Sequence, residues 1–250
     1  MKIFITALLS LFIAKANAQA IFVDKGEIEY EVKTNLQKTI SDNFWTEQIK
    51  DKIGQFKTAY YTLSFNNNES IYKFSRWPAN NNLPNYMRTN DENILCYTNF
   101  NTGVQERVAS MFNNTFNIKD SIRPLKWKLY DELRDIAGFT CRKASTIIND
   151  SVYVFVFYTN DITIPAGPQS INGLPGTILG MTIPRLYTSW IATKVSTVPS
   201  QTVSALNLKK ATTNKTFLDQ LQESTKDWFS NYDKEKAKAE QQKLLWSLSL

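Results

Sequence analysis

Gly26–Lys33 reads Gly-Glu-Ile-Glu-Tyr-Glu-Val-Lys, which alternates apolar and charged side chains from Glu27 onward. In an extended chain, Ile28, Tyr30 and Val32 fall on one face and the charged residues on the other. This period of two is typical of a half-buried β-strand. The stretch therefore predicts a sheet that packs one face on a core.

A second stretch, Val152–Tyr158 (Val-Tyr-Val-Phe-Val-Phe-Tyr), is apolar on both faces and predicts a strand inside a sheet that is covered on both sides. Phe139–Ile147 precedes it across the turn sequence Ile148–Ser151. Short connections between strands favour an antiparallel meander. Further strands are predicted at Ala59–Phe65, Ser70–Phe74, Ile94–Phe100, Val104–Ser110, Asn113–Ile118, Lys126–Tyr130, Ile178–Ile183 and Tyr187–Val195.

Helical patterns lie at the two ends of the chain. Phe44–Lys57 has apolar residues at helical spacing, and Lys215–Leu245 predicts one long helix, apolar early and charged late. We expect its first half to dock on the sheet and its charged half to extend into solvent. The predicted class is mainly β (α+β): one antiparallel meander sheet over 21–213, a short N-terminal helix, and a helical extension over 214–250.

Residues 1–20 have the features of a secretory leader. Lys2 precedes about a dozen apolar residues, which is too short a run to span a bilayer, and small residues favour cleavage after Ala18 or Ala20. No Cys follows these positions, so a lipoprotein anchor is not indicated. We expect an exported protein, periplasmic or associated with the outer membrane, without a transmembrane segment after leader removal.

The composition excludes several chemistries. The chain of 250 residues has no His and two Cys, so imidazole ligands, His-based triads and thiolate zinc sites are ruled out. Loss of Lys2 and Lys15 with the leader lowers the formal charge from +6 to +4, spread along the chain. We therefore expect no nucleic-acid partner. No cofactor-binding motif is present, and no cofactor is expected.

The most distinctive motif is Asn172–Gly180, Asn-Gly-Leu-Pro-Gly-Thr-Ile-Leu-Gly. Pro175 and Gly176 fit the two central positions of a type II turn, because Pro sets φ near −65° and Gly supplies φ > 0. Two interpretations stay open. The motif is either a rigid turn that positions two strands, or a binding loop whose glycines let a ligand approach the backbone.

Together with its surroundings, this motif resembles the GLPGLI family of exported Bacteroidetes proteins. Gly173, Leu174, Pro175, Gly176 and Ile178 match the core of the family, and Thr177 replaces a Leu. Other segments that resemble the family are Gly26–Tyr30, Trp127, Ile136–Ala144, Tyr158-Thr159, Ile162, Pro165 and Gly167-Pro168. The resemblance implies export and a sheet curved into a bowl or half-barrel, as in the N-terminal module of some secreted bacterial glycosidase-type enzymes. It implies no reaction.

Candidate reactive groups are few. Asp131, Glu132 and Asp135 are expected in a turn or short helix between strands, and Asp161 is the remaining carboxylate of the region. Lys143 is expected to be an exposed strand residue.

The two cysteines leave a second question open. In an oxidising compartment Cys96 and Cys141 would either form a disulfide or remain two separate buried thiols. A bridge would close a loop of about 45 residues and contribute roughly 3–4 kcal/mol.

Three functions remain as hypotheses. The first is a non-catalytic cell-envelope or periplasmic module that binds a protein partner or envelope component. The second is a carrier of a lipid or other apolar ligand in the concave sheet, since 13% of the residues are aromatic. The third is a secreted hydrolase or its accessory domain. The lack of a convergent acid–base set favours the first.

Overall fold

The computed structural model describes residues 23–39, 54–111, 114–199 and 202–250. Within these ranges the strands form a single 11-stranded antiparallel sheet. The strands are β1 Gly26–Asn35, β2 Phe56–Phe65, β3 Glu69–Arg76, β4 Leu95–Asn99, β5 Val104–Met111, β6 Asn114–Ser121, β7 Lys128–Ile136, β8 Phe139–Ile148, β9 Val152–Thr159, β10 Thr177–Ile183 and β11 Thr188–Ser196. The helices are α1 Leu36–Thr39, α2 Thr89–Glu92, α3 Asn214–Thr225 and α4 Lys234–Leu248.

The sheet consists of two meanders joined at its centre. Its strand order is β6-β5-β4-β3-β2-β1-β11-β10-β9-β8-β7. The joint is the antiparallel pairing of β1 with β11, in which Ile28 lies opposite Val195 and Val32 opposite Trp190. The predicted antiparallel meander is thus confirmed, with the difference that β6 and β7, consecutive in the chain, lie at opposite edges.

The connection between those two edges requires a curved sheet. Laid flat, the first and last of eleven strands would lie about 48 Å apart at a spacing of about 4.8 Å. The chain from Ser121 to Lys128 reaches only about 25 Å when fully extended. The edges must therefore approach each other, although they do not pair. The sheet is a bowl rather than a closed barrel.

The inner face of the bowl carries the main core. Ile28, Tyr30 and Val32 of β1 point into it, as the alternation of the sequence predicts. Val152, Val154 and Val156 of β9 are completely buried on the same side. The prediction that β9 is covered on both faces is wrong, because its outward-facing Tyr153 is 54% exposed.

The C-terminal region forms two helices instead of the one predicted, with a break at 226–233. The early half docks as expected: Phe217 and Leu221 of α3 bury against Ile118 of β6. The later half does not extend into solvent, which corrects that expectation. Trp246 near the end of α4 and Leu250 beyond it lie in the main core, because the apolar residues after Lys243 give α4 a buried end.

Other predictions need correction or lie outside the described residues. Asp131, Glu132 and Asp135 lie on strand β7, not in a turn or helix. The predicted helix over Phe44–Lys57 falls mostly on undescribed residues, and its last two residues begin β2 instead. The leader and its cleavage positions, Ala18 and Ala20, are also outside the described ranges. In the described part of the chain, no helix combines the length and apolar character needed to cross a membrane.

Candidate functional site

The Gly-Leu-Pro-Gly motif closes a buried connection between β9 and β10. Residues 160–176 form this connection, and Ile162, Ile164, Ala166, Ile171 and Leu174 are each at most 2% exposed. The backbone is tied across the connection: Gly173 N donates to Pro165 O at 3.0 Å, and Ile178 N donates to Ala166 O at 2.9 Å. The connection therefore packs into the bowl as part of its core.

The turn at Pro175 differs from the predicted type II turn. The N–H of Gly176 donates to Leu174 O at 2.8 Å, which defines a three-residue γ-turn centred on Pro175. The N–H of Thr177 bonds instead to Ile162 O at 3.1 Å, across the connection. The type II prediction is wrong because the long-range bond to Ile162 replaces the local bond that such a turn would make.

Gly176 is required for close packing rather than for access. Its φ of +144° is in a region that favours glycine, and an added Cβ would lie 2.0 Å from Thr159 O. Gly167 is similarly restricted, with Ile171 O at 2.5 Å from its Cβ position. This geometry favours the structural interpretation of the motif, since a ligand has no room at Gly176. Only Gly173 and Pro175 of the motif are exposed.

Both cysteines are free and buried, as in the second of the two alternatives. Burial raises the pKa of the Cys96 thiol to about 11, against a smaller opposing effect of the Arg107 guanidinium. Burial likewise raises the pKa of the Cys141 thiol to about 12. Neither thiol is therefore a nucleophile at neutral pH.

The sequence-predicted carboxylates do not converge. Asp131 accepts from Arg142 Nη2 at 2.7 Å with its side chain 99% exposed, and Glu132 forms an ion pair with Lys143. The Thr140 hydroxyl donates to Asp135 at 2.9 Å. Each of these carboxylates thus has its own partner at the surface. In the described residues, no three Cys, Asp or Glu side chains cluster as a metal site would require.

The structure instead brings aromatic residues together at the rim of the bowl, in what we call the aromatic groove. It lies between the outer face of β9, the turn before β11 and helix α4, with a volume of about 810 Å³. The residues that line it are Ser151, Tyr153, Phe155, Pro184, Arg185, Tyr187, Ala239, Glu240, Gln242, Lys243 and Trp246.

Two strands and a helix position the rings of the groove. Tyr153 and Phe155 both point to the outer face of β9, because they are two residues apart. Their rings stack, with a distance of 6.1 Å between the centroids and an angle of 11° between the planes. Tyr187 is the residue before β11 and is 44% exposed. Trp246 approaches from α4, with the Arg185 guanidinium 4.7 Å above its ring. The groove thus combines flat aromatic faces with charged and amide groups.

Sequence reasoning did not find this groove. The stretch Val152–Tyr158 already indicated an apolar outer face, but that face was predicted to be covered by other parts of the chain. Period-two alternation tells which side chains share a face, but it does not tell whether that face is covered. The return of α4 to the rim, which depends on tertiary packing of Trp246, forms the other wall.

The fold and the groove define a class: an open antiparallel-sheet module with a surface suited to binding. A family model described as the N-glycanase peptide, N-terminal domain, matches residues 88–223. This match covers more than half of the chain, so the chain belongs to that family. Its residues run from α2 to α3 and include β4–β11.

The solved structures with a similar fold include two titled as the structure of PNGF-II, in the P21 and C2 space groups. The first has a TM-score of 0.52 and 16% identity, and covers 78% of this chain. The second has a TM-score of 0.50 and 17% identity over the same share. Each match covers 32% of the PNGF-II chain, so this chain spans about a third of the length of those proteins. No curated protein matches the chain.

Proposed function

We propose that this chain is a non-catalytic accessory module that binds glycan-bearing material for an N-glycanase-type hydrolase. The observation that carries the proposal is the match of residues 88–223 to the N-terminal domain of an N-glycanase. The hydrolase-accessory hypothesis is thereby favoured over a general envelope-binding module, because the family supplies a glycan context.

The distribution of charged groups supports binding rather than catalysis. Acid–base hydrolysis needs a carboxyl or other titratable group in a cleft with a perturbed pKa and access to the substrate. Glu132 and Asp131 are instead bound to neighbouring cations on the exposed surface of β7. The raised pKa values of Tyr30 and Tyr61 come mainly from burial in the core, where both side chains are at most 1% exposed.

The test compares a glycoprotein with its deglycosylated form. We expect the chain alone to release no glycan from ribonuclease B, measured by the mass of the glycoprotein after incubation. We also expect it to bind immobilised ribonuclease B more tightly than the same protein after removal of its glycan. Release of free glycan by the chain alone, or equal binding to both forms, would contradict the proposal.

The carrier hypothesis has less support. A carrier needs an open apolar cavity on the concave side, whereas this side of the described chain is occupied by the buried connection over residues 160–176. Native mass spectrometry of the purified chain distinguishes the two functions. A lipid that co-purifies with the chain, and stays bound when lipids are extracted without denaturant, would favour the carrier hypothesis.

Export is part of the same proposal. The leader-like residues 1–20 and the resemblance to the GLPGLI family support a periplasmic or outer-membrane-associated location. The N-terminal mass of protein from an envelope fraction tests it. A chain that begins at Gln19 or Ile21 is expected, whereas a retained Met1–Ala20 segment on all molecules would argue against a cleaved leader.

A further inference from the structure

The outer face of β9 presents an exposed aromatic platform. Tyr153 is 54% exposed, and its ring stacks on that of Phe155 in nearly parallel planes. On the neighbouring strand, Ile147 lies opposite Tyr153 and is 48% exposed. Large exposed rings are costly to leave in water, since burying such a side chain contributes about 1.5–3 kcal/mol. A platform of this kind is typical of a contact surface.

The groove contains positively and negatively charged residues, and both hydrogen-bond donors and acceptors. Arg185 and Lys243 donate, Glu240 accepts, and Gln242 does both. Two of them lie directly over the rings, Arg185 over Trp246 at 4.7 Å and Lys243 over Tyr187 at 5.7 Å. A ligand in the groove would therefore meet aromatic rings and hydrogen-bonding groups close together.

The composition of the groove discriminates among ligand classes. Four of its described lining residues are aromatic and none is Leu, Ile or Val; Ile147 adjoins Tyr153 outside the groove. Apolar helices and acyl chains pack well on aliphatic side chains, and single-stranded nucleic acids need a positively charged groove. A pyranose ring has an apolar C–H face and a rim of hydroxyls that donate and accept, which matches both features.

The groove is also preformed. Tyr187 has a φ of 50°, in the left-handed region that non-glycine residues rarely adopt. Its backbone is held by bonds from Tyr187 N to Pro184 O at 3.0 Å and from Asn35 N to Tyr187 O at 2.9 Å. Lys243 Nζ lies 5.7 Å above the Tyr187 ring and donates to Thr39 O at 3.1 Å. The backbone that carries Tyr187 is therefore fixed before a ligand enters the groove, and it has little freedom left to lose on binding.

We infer that the aromatic groove binds an uncharged saccharide, with a pyranose ring stacked on Tyr153 and its hydroxyls bonded to Arg185, Glu240 and Gln242. This inference rests on the proposed function and names the surface that would perform it. The volume of about 810 Å³ falls in the usual range for small-ligand sites and admits more than one sugar ring.

Titration calorimetry with the full chain tests the inference. The probes are N,N′-diacetylchitobiose and mannotriose, with dodecanoate as the apolar competitor. We expect one or both saccharides to bind, and Tyr153→Ala to weaken that binding by at least about fivefold through loss of the stacking ring. Tyr153→Phe keeps the ring and should bind within about twofold of the unmodified chain.

A matched variant controls for the loss of any exposed aromatic residue. Trp228 is 44% exposed and is not among the residues that line the groove. Trp228→Ala should leave saccharide binding unchanged, whereas Glu240→Gln should weaken it because the carboxylate accepts stronger hydrogen bonds than the amide.

The outcomes separate this inference from the proposed function. Unchanged saccharide binding in Tyr153→Ala, or the failure of both saccharides to bind, with or without binding of dodecanoate, would overturn the groove as a saccharide site. If the chain also prefers glycosylated ribonuclease B under those conditions, the proposed function stands and only its location is wrong. Equal binding to both forms of ribonuclease B would instead remove the proposed function itself.

Discussion

The two faces of β9 show how one strand serves two purposes. The inner face places Val152, Val154 and Val156 in the core, where they are completely buried. The outer face places Tyr153 and Phe155 in the aromatic groove. Both faces are apolar in the sequence, yet one is buried by packing and the other lines an exposed groove.

The two faces differ in how much room the surrounding residues leave for a change of side chain. The core connection over 160–176 leaves no room for an added atom at Gly176, and its backbone is fixed by bonds across the connection. The groove tolerates changes of side chain because solvent adjoins it. Substitutions on the inner side should therefore change stability, and those on the outer side should change binding.

The largest effect is expected for Gly176→Ala. The new Cβ would lie 2.0 Å from Thr159 O, a backbone atom that the pairing of Thr159 with Thr177 holds in place. We expect the free energy of unfolding to fall by about 4 kcal/mol or more, measured by urea denaturation.

Two other glycines separate the cost of the steric clash from the cost of a positive φ. Gly103 has a φ of +68°, and a Cβ added there would have no atom within 4 Å. Gly103→Ala should therefore lower the free energy of unfolding only by the dihedral cost of about 1–2 kcal/mol. Gly54→Ala has an ordinary φ and its nearest neighbour at 3.8 Å, so its effect should stay within about 0.5 kcal/mol. Equal losses in all three variants would contradict the close packing described for Gly176.

The next effect concerns the attachment of the C-terminal helices. Buried Arg107 of β5 donates to the main-chain oxygens of Leu248 and Leu250, and to Asn214 Oδ1 at 2.8 Å. Arg107→Met would leave these buried acceptors unpaired and lower the free energy of unfolding by about 2–3 kcal/mol.

Hydrogen exchange tests where that loss occurs. Amides of α4 should exchange faster in Arg107→Met than in the unmodified chain, while those of β1 change less. Arg134→Met serves as a control, since Arg134 is a surface cation above the Phe157 ring. If exchange of α4 stays the same in both variants, Arg107 does not anchor the helix.

A smaller effect is expected at alkaline pH. Burial raises the pKa of Cys96 to about 11 and that of Cys141 to about 12, so the folded state keeps both thiols protonated when the unfolded state has lost its protons. Their contribution is complete below the unfolded pKa of about 8.5 and is lost as pH rises through the folded values. Each thiol lowers stability by up to about 1.4 kcal/mol per pH unit in this window.

Urea denaturation at pH 7, 9 and 10.5 measures that dependence. The variant with both Cys96→Ala and Cys141→Ala should have a flatter profile than the unmodified chain, and the buried tyrosines account for what slope remains. An identical slope in both proteins would mean that the thiols do not contribute.

The smallest effect on stability is expected for Tyr153→Ala. Because this side chain is 54% exposed, its removal should change the free energy of unfolding by no more than about 0.5 kcal/mol. Together with weakened saccharide binding, this result would place function on the outer face of β9. A loss comparable to that of Gly176→Ala would mean that both faces are structural.

Much of the sheet could be predicted from local patterns. The alternation of Gly26–Lys33 determines which side of β1 is buried, and short turns such as 148–151 determine that neighbouring strands pair. The resemblance to bowl-like modules also anticipated the curvature. The boundaries of the strands were harder to predict, as at β7, where residues 131–135, four of them charged, continue the strand through an irregular register.

Three features depended on contacts that are distant in sequence. The pairing of β1 with β11, the bond from Thr177 N to Ile162 O and the return of α4 to the core all join residues that no local pattern relates. The sequence by itself determined which residues are apolar and which turns are tight. Only the tertiary structure decided that one apolar face of β9 is buried and the other lines a groove, because burial depends on what the rest of the chain places against a face.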